Sequence, residues 1–148
     1  RNRLDQLRRT ILTRKRDPDI LRFEVVSMRE KMRSLLASTS SNGLFGLKHD
    51  AGGIVDIEFM VQYAVLAHAE LYPDLAVYTD NVRQLDALAQ AGCIDTVEAG
   101  VLKAAYVRYR ALHHEAILAG LDGQVDPIVI EGELRDVRRY WTQWMKLS

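Results

Sequence analysis

Apolar residues recur along this chain every three to four positions, the spacing that lines one face of an α-helix. Leu4, Leu7 and Ile11, with Leu12 beside them, predict a first helix over about residues 2–15. Asp17-Pro18 then reads as an N-cap followed by proline at the first helical position. A long helix to about Ala37 carries Leu21, Val25, Met28, Met32 and Leu35 on one stripe. Its methionines read as core filler. Ser38 to Gly43 is a polar linker of small residues, and Leu44 to Lys48 reads as a short extended segment.

From Ile54 to Leu71 nearly every direction around the helix axis is apolar, which predicts a helix buried on all sides over about residues 53–71. Pro73 ends it. Thr79-Asp80 caps a helix with Val82, Leu85 and Leu88 inward and Gly92 as its stop. Asp95-Thr96-Val97-Glu98 fits capping-box spacing with aspartate in the capping position. The helix it opens carries Val101, Leu102, Ala105, Tyr109, Leu112 and Ala116, and ends near Gly120. Residues 120–127 read as a loop, and a last helix presents Leu134, Val137, Trp141 and Trp144. No convincing strand appears. The pattern predicts an all-α bundle of five or six helices around one largely buried helix, forming a single helical domain over 1–148.

Composition changes this picture little. The 148 residues are 48% hydrophobic and 27% charged, with zero formal net charge, as in an ordinary globular domain. The charge is uneven: residues 1–33 hold eleven Lys/Arg against five acids, leaving the remainder acidic. Such asymmetry fits a solvated face, a face docked on an acidic domain, or nucleic acid; no nucleic-acid-binding module pattern accompanies it. The single cysteine, Cys93, excludes an internal disulfide and suits a reducing compartment. No apolar run approaches the ~20 residues of a membrane span without polar interruption. The chain opens without methionine inside a basic helical pattern, which reads as a piece of a longer protein.

The candidate chemistry gathers at Leu47-Lys48-His49-Asp50-Ala51-Gly52-Gly53-Ile54-Val55-Asp56-Ile57-Glu58-Phe59. Paired glycines let backbone approach a partner closely, and a helix N-terminus attracts anions. Lys48 adds a charge suited to phosphate. Asp56 and Glu58 lie two residues apart, about 200° around a helix, so at most one faces a given ligand. A structural alternative stays open: Asp56 caps its own helix, Glu58 pairs with an arginine of the basic helices, and Lys48 bridges to either. The spacing is neither a Walker loop nor a dinucleotide fingerprint. His114-Glu115 begins like a zinc motif, but Leu118 stands where the second histidine belongs. His113 and His114 lie about 100° apart on a helix, unsuited to a shared metal.

Several stretches resemble bacterial glutamine synthetase adenylyltransferases. Lys48 through Gly52-Gly53-Ile54, Asp56-Ile57-Glu58-Phe59 and Gln62-Tyr63 resemble the family's Lys-x-x-x-Gly-Gly-Ile-x-Asp-Ile-Glu-Phe signature. Met28-Arg29-Glu30-Lys31-Met32-Arg33, Thr79-Asp80-Asn81-Val82-Arg83, Leu112-His113-His114-Glu115 and Trp141-x-x-Trp144 resemble further family segments in the same order. Uridylyltransferases acting on the PII signalling protein share a shorter core. The resemblance implies an enzyme with two similar halves, one attaching AMP from ATP, with Mg²⁺, to a tyrosine of glutamine synthetase and one removing it. It implies that this chain is the helical domain of the C-terminal, adenylylating half, working in the bacterial cytoplasm beside its own upstream nucleotidyltransferase domain. The metal-holding Gly-Ser-Asp-x-Asp motif of that domain is absent here, so catalytic and metal residues are expected outside the segment. Lys48, Gly52, Gly53 and Asp56 would lie near the nucleotide phosphates, with Asp56 or Glu58 in support. Asp80, Asn81, Arg83, His113 and His114 would serve partner docking. The alternative is a non-catalytic regulatory module binding PII or glutamine synthetase.

Overall fold

Asp17 accepts hydrogen bonds from the N–H groups of Asp19 and Ile20 at 2.9 and 3.2 Å, and Pro18 opens the helix as expected. The computed structural model describes residues 3, 6, 7, 10, 11, 15–38 and 42–146. The expected first helix therefore falls largely outside the described residues, Leu4 and Leu12 included. The described α-helices are α1 (Pro18–Leu36), α2 (Ile54–His68), α3 (Asn81–Gln90), α4 (Thr96–Leu118) and α5 (Glu131–Trp144). Short 3-10 turns at Pro73–Ala76 and Pro127–Ile130 precede α3 and α5.

The all-α expectation holds, and α2 is the central helix, packing against all four others. Ile57, Met60 and Val61 are wholly buried and Val65 nearly so, each burial stabilising by about 1.5–3 kcal/mol. Asp80 and Asp95 cap α3 and α4 through their side chains. Gly92, with φ +76, stops α3, and the N–H of Cys93 reaches back to the carbonyl of Leu88 at 2.9 Å.

Three expectations are corrected. Helix α2 ends at His68, short of Leu71. The residue before a proline is steered out of the helical region, and Tyr72 sits at φ −129, ψ 73 before Pro73. The stripe on α1 is rotated: Met28 and Leu35 are 60% and 82% exposed, while Arg29 is fully buried. An ion pair with α2, described below, turns that face inward. Finally, one small antiparallel pair exists, β1 (Phe45–Gly46) with β2 (Gln124–Val125), Phe45 opposite Val125. Two-residue strands carry no alternation to detect. The pair ties the segment before α2 to the loop after α4. Among the described residues, no helix is long and apolar enough to cross a membrane.

Candidate functional site

The turn into α2 requires both glycines. Gly52 has φ +94, and a Cβ there would lie 3.0 Å from the side chain of Arg138. A Cβ on Gly53 would lie 2.4 Å from the carbonyl oxygen of Leu47. With that space free, residues 47–53 fold back onto the start of the helix. The N–H groups of Gly53, Ile54 and Val55 donate to the carbonyls of Asp50, Leu47 and Lys48 at 3.0, 2.8 and 3.0 Å. The expectation of open donors for an anion at this N-terminus is therefore corrected: the chain's own carbonyls occupy them.

Asp56 lies beneath the turn. Its Oδ2 accepts from the Gly52 N–H at 2.7 Å, and its Oδ1 from Arg29 Nε at 2.5 Å. Arg33 Nη2 stands 3.5 Å away. Arg29 also donates to the carbonyl of His49 at 2.5 Å. A buried charge must be paired, and here the acid has the buried Arg29 cation, a backbone N–H and a second arginine at 3.5 Å. Arginine pairing, left open for Glu58, belongs to Asp56. Asp50 fastens the same loop, accepting from the N–H groups of Ser38 at 2.6 Å and Gly46 at 2.8 Å. Arg138 donates to the carbonyl of Ala51 at 3.0 Å.

Glu58 points the other way, as helix geometry requires. Its Oε2 accepts from the Tyr106 hydroxyl at 3.0 Å, and that hydroxyl accepts from Asn81 Nδ2 at 3.1 Å. Glu58 and Tyr106 line an open cleft of about 470 Å³ together with Lys48, Ile54, Arg110, His113, His114 and Ile117. Lys48 is exposed and makes no ion pair among the described residues. Burial, then the charges of Lys48 and His114, hold the His113 pKa below the usual imidazole value. Burial and the Glu58 carboxylate raise that of the Tyr106 hydroxyl. Gly123, with φ +72, permits the loop after α4 to cover His113, because a Cβ there would come within 2.7 Å of the imidazole.

The structure thus joins Lys48, Glu58, His113 and His114 at one cleft, with Asn81 reaching it through Tyr106. Gly52, Gly53 and Asp56 are sealed below. Asp80 caps α3 by accepting from the Arg83 N–H at 2.9 Å, and the Arg83 guanidinium stands 3.7 Å from the same exposed carboxylate. Tyr106 and Arg110 escape the sequence reading as site residues. Their signal is the helical spacing 106, 110, 113, 114 and 117 on one face of α4, where the Arg110 guanidinium lies over the Tyr106 ring at 5.6 Å.

Chemically, the cleft offers fixed positive charge to an anion and one carboxylate to a donor. It does not fit a divalent cation by itself, which needs several converging oxygens; Glu58 is its sole carboxylate. Among the described residues, no three His, Cys, Asp or Glu side chains converge to hold a metal ion. A second groove, also about 470 Å³, runs beside α1 over Leu21, Val25, Met28, Phe59 and Leu66, with Glu24 and Glu58 among its lining residues.

A family model described as GlnD PII-uridylyltransferase matches residues 24–119, from within α1 to just past the end of α4. The chain is 49% identical to the bifunctional glutamine synthetase adenylyltransferase/adenylyl-removing enzyme of Acinetobacter baylyi over 129 residues, 85% of this chain and 14% of that protein. It is 45% identical to the protein of the same name from Pseudomonas aeruginosa over 150 residues, 94% of this chain and 15% of that protein. The one from Pseudomonas syringae pv. tomato is 43% identical over the same shares. The chain spans only 14–15% of the length of these relatives. It belongs to the family described as GlnD PII-uridylyltransferase, and the curated relatives it matches over most of its own length are bifunctional glutamine synthetase adenylyltransferases.

Proposed function

We propose that this chain is the helical domain of the adenylylating half of a glutamine synthetase adenylyltransferase. It closes onto an upstream nucleotidyltransferase domain of the same protein and helps dock glutamine synthetase in the bacterial cytoplasm, so regulating nitrogen assimilation. The whole enzyme transfers AMP from ATP to a tyrosine, releasing pyrophosphate. One observation carries the reading: Lys48 from the glycine turn, Glu58 from α2, and His113 and His114 from α4 converge on one open cleft, although they come from separate family-like stretches.

In this reading Lys48 contacts the nucleotide phosphates, where fixed positive charge offsets charge during phosphoryl transfer. Glu58 positions a donor on the partner or nucleotide. Gly52, Gly53 and Asp56 hold Lys48 in place from beneath the surface. Mg²⁺ belongs to carboxylates of the upstream domain. The segment alone is inactive.

The test is AMP transfer by the longer protein. Lys48→Ala should lower transfer to glutamine synthetase by about tenfold or more, corresponding to about 1.4 kcal/mol of lost stabilisation, with the melting temperature unchanged. Unaltered transfer would remove the cleft from the reaction. It would then favour a regulatory module binding PII or glutamine synthetase, for which the apolar groove beside α1 and the exposed Ile20, Phe23 and Met28 offer a surface.

A further inference from the structure

Each of the consecutive carbonyl oxygens from Leu47 to Ala51 accepts a hydrogen bond. Those of Leu47, Lys48 and Asp50 accept from the N–H groups of Ile54, Val55 and Gly53, so these bonds stay within the turn and the start of α2. The other two accept from arginines of other helices. Arg29 of α1 holds the His49 carbonyl, and Nε of Arg138, on α5, holds that of Ala51 at 3.0 Å. Arg29 is sealed in the core with Asp56. Arg138 is exposed and makes no ion pair among the described residues, so it grips the turn without supporting a buried charge. Its guanidinium lies 5.9 Å from the centre of the Phe45 ring, within reach of a cation–π contact. Gly52 lets the arginine come this close: a Cβ there would lie 3.0 Å from both Cγ and Nε of Arg138. That glycine is therefore matched to one side chain of α5 as well as to its own positive φ. Lys48 lines the cleft without an ion pair among the described residues, so its place there rests on the backbone of this turn.

We propose that Arg138 is a positioning residue for AMP transfer, fixing from α5 the turn that presents Lys48 to the cleft. The inference rests on the reading above, in which Lys48 takes part in the reaction. Arg138 does not line the cleft. It acts through the Ala51 carbonyl and the bare face of Gly52. Without it, residues 47–53 keep their bonds to α2 and to Arg29 but lose their fastening to α5. Charge stabilises a transition state only where it is held in the right place beforehand, so a loosened turn costs rate even though Lys48 itself is intact.

The experiment uses Arg138→Met in the longer protein, because methionine keeps a stem against Gly52 and removes the donor and the charge. AMP transfer to glutamine synthetase should fall by about threefold to tenfold, up to the loss expected of Lys48→Ala, with the melting temperature unchanged. Amide hydrogen exchange in peptides covering residues 47–53 should quicken. Arg138→Lys restores a cationic donor and should transfer AMP faster than Arg138→Met. A residue that merely stabilises the fold would act independently of Lys48, whereas residues that act through one another are not additive. The double variant Lys48→Ala/Arg138→Met should therefore transfer no more slowly than Lys48→Ala. Arg135→Ala removes another exposed cation of α5, one that pairs with Asp136 at 3.5 Å, and should leave transfer unaltered. Losses that multiply in the double variant would overturn the inference, as would full transfer by Arg138→Met where Lys48→Ala is impaired. Full transfer by Lys48→Ala would instead remove the cleft from the reaction, and the positioning role of Arg138 with it.

Discussion

Arg29 of α1 donates to Asp56 of α2 at 2.5 Å, and the two side chains are 0% and 2% exposed. This pair joins the first described helix to the central one. It also holds both ends of the glycine turn, through the Gly52 N–H on Asp56 and the His49 carbonyl on Arg29. Breaking one partner of a buried pair strands the other charge, at a cost of about 3–5 kcal/mol. Asp56→Ala and Arg29→Ala should each lose that much in urea unfolding. The double variant Arg29→Met/Asp56→Leu should recover much of the loss, because no lone charge remains. A loss below about 1 kcal/mol for either single variant, the size expected of an exposed pair, would show that the pair does not hold the fold.

The glycines separate two effects that sequence treats alike. Gly53→Ala places a methyl group 2.4 Å from a backbone oxygen that Ile54 already uses. Neither atom yields without breaking the helix start. Gly100 lies on the exposed face of α4 with nothing within 4 Å of its missing Cβ. Gly100→Ala should therefore stabilise by about 0.5–1 kcal/mol through helix propensity, and Gly53→Ala should destabilise by more than that. Thermal melts of the two variants decide the matter: equal shifts would contradict the close approach at Gly53.

The helices were legible because their ends are written locally. Asp17-Pro18, Asp80, Asp95 and Gly92 carry cap chemistry that needs no tertiary contact, and they sit where expected. The aim of α1 was not legible. Arginine is rarely fully buried, so periodicity assigns the inward stripe to Met28 and Leu35 rather than to Arg29. Its burial depends on Asp56, 27 residues away. The cleft was half legible. Lys48, His113 and His114 stand out as motif residues, but Tyr106 and Arg110 gain meaning only when α4 is laid beside α2. The opposed directions of Asp56 and Glu58 followed from helix geometry alone.

Tyr106→Phe tests the link between the Thr79–Arg83 stretch and the glycine stretch. It removes the donor to Glu58 and the acceptor from Asn81 while keeping the ring. Glu58 and Asn81 are each partly exposed, so both can turn to water. The expected loss is about 1 kcal/mol, the net worth of an ordinary hydrogen bond. Chemical shifts should change at both Asn81 and Glu58. A change at one residue only would show that the three groups are not connected.

Tyr109 gives the opposite expectation. Its side chain is wholly buried in α4, and its hydroxyl has no hydrogen-bond partner among the described residues. Burial, with Glu133 contributing, pushes its pKa well above the ordinary phenol value. A buried unpaired hydroxyl contributes nothing to offset its desolvation. Tyr109→Phe should leave stability unchanged or raise it by about 1 kcal/mol. A loss of 2 kcal/mol or more would place the hydroxyl in a bonded network.

Acid should weaken the fold before the carboxylates titrate. Burial lowers the pKa of His68 below the ordinary 6.5, and burial together with Lys48 lowers those of His49 and His113. An imidazole whose folded pKa lies below its unfolded value binds its proton more readily in the unfolded chain. Stability is then intact above about pH 6.5 and declines as pH falls toward and through the folded values, the direction set by proton linkage. Carboxylates titrate near pH 4, so a window between about pH 6.5 and 5 belongs chiefly to the histidines. His68 lies at the end of α2, and burial is the cause of its shift. His68→Gln keeps a polar side chain of similar length and cannot titrate. Urea midpoints across that window should fall with decreasing pH in the unaltered chain and fall less steeply in His68→Gln. Parallel slopes would mean that His68 protonates equally well folded and unfolded.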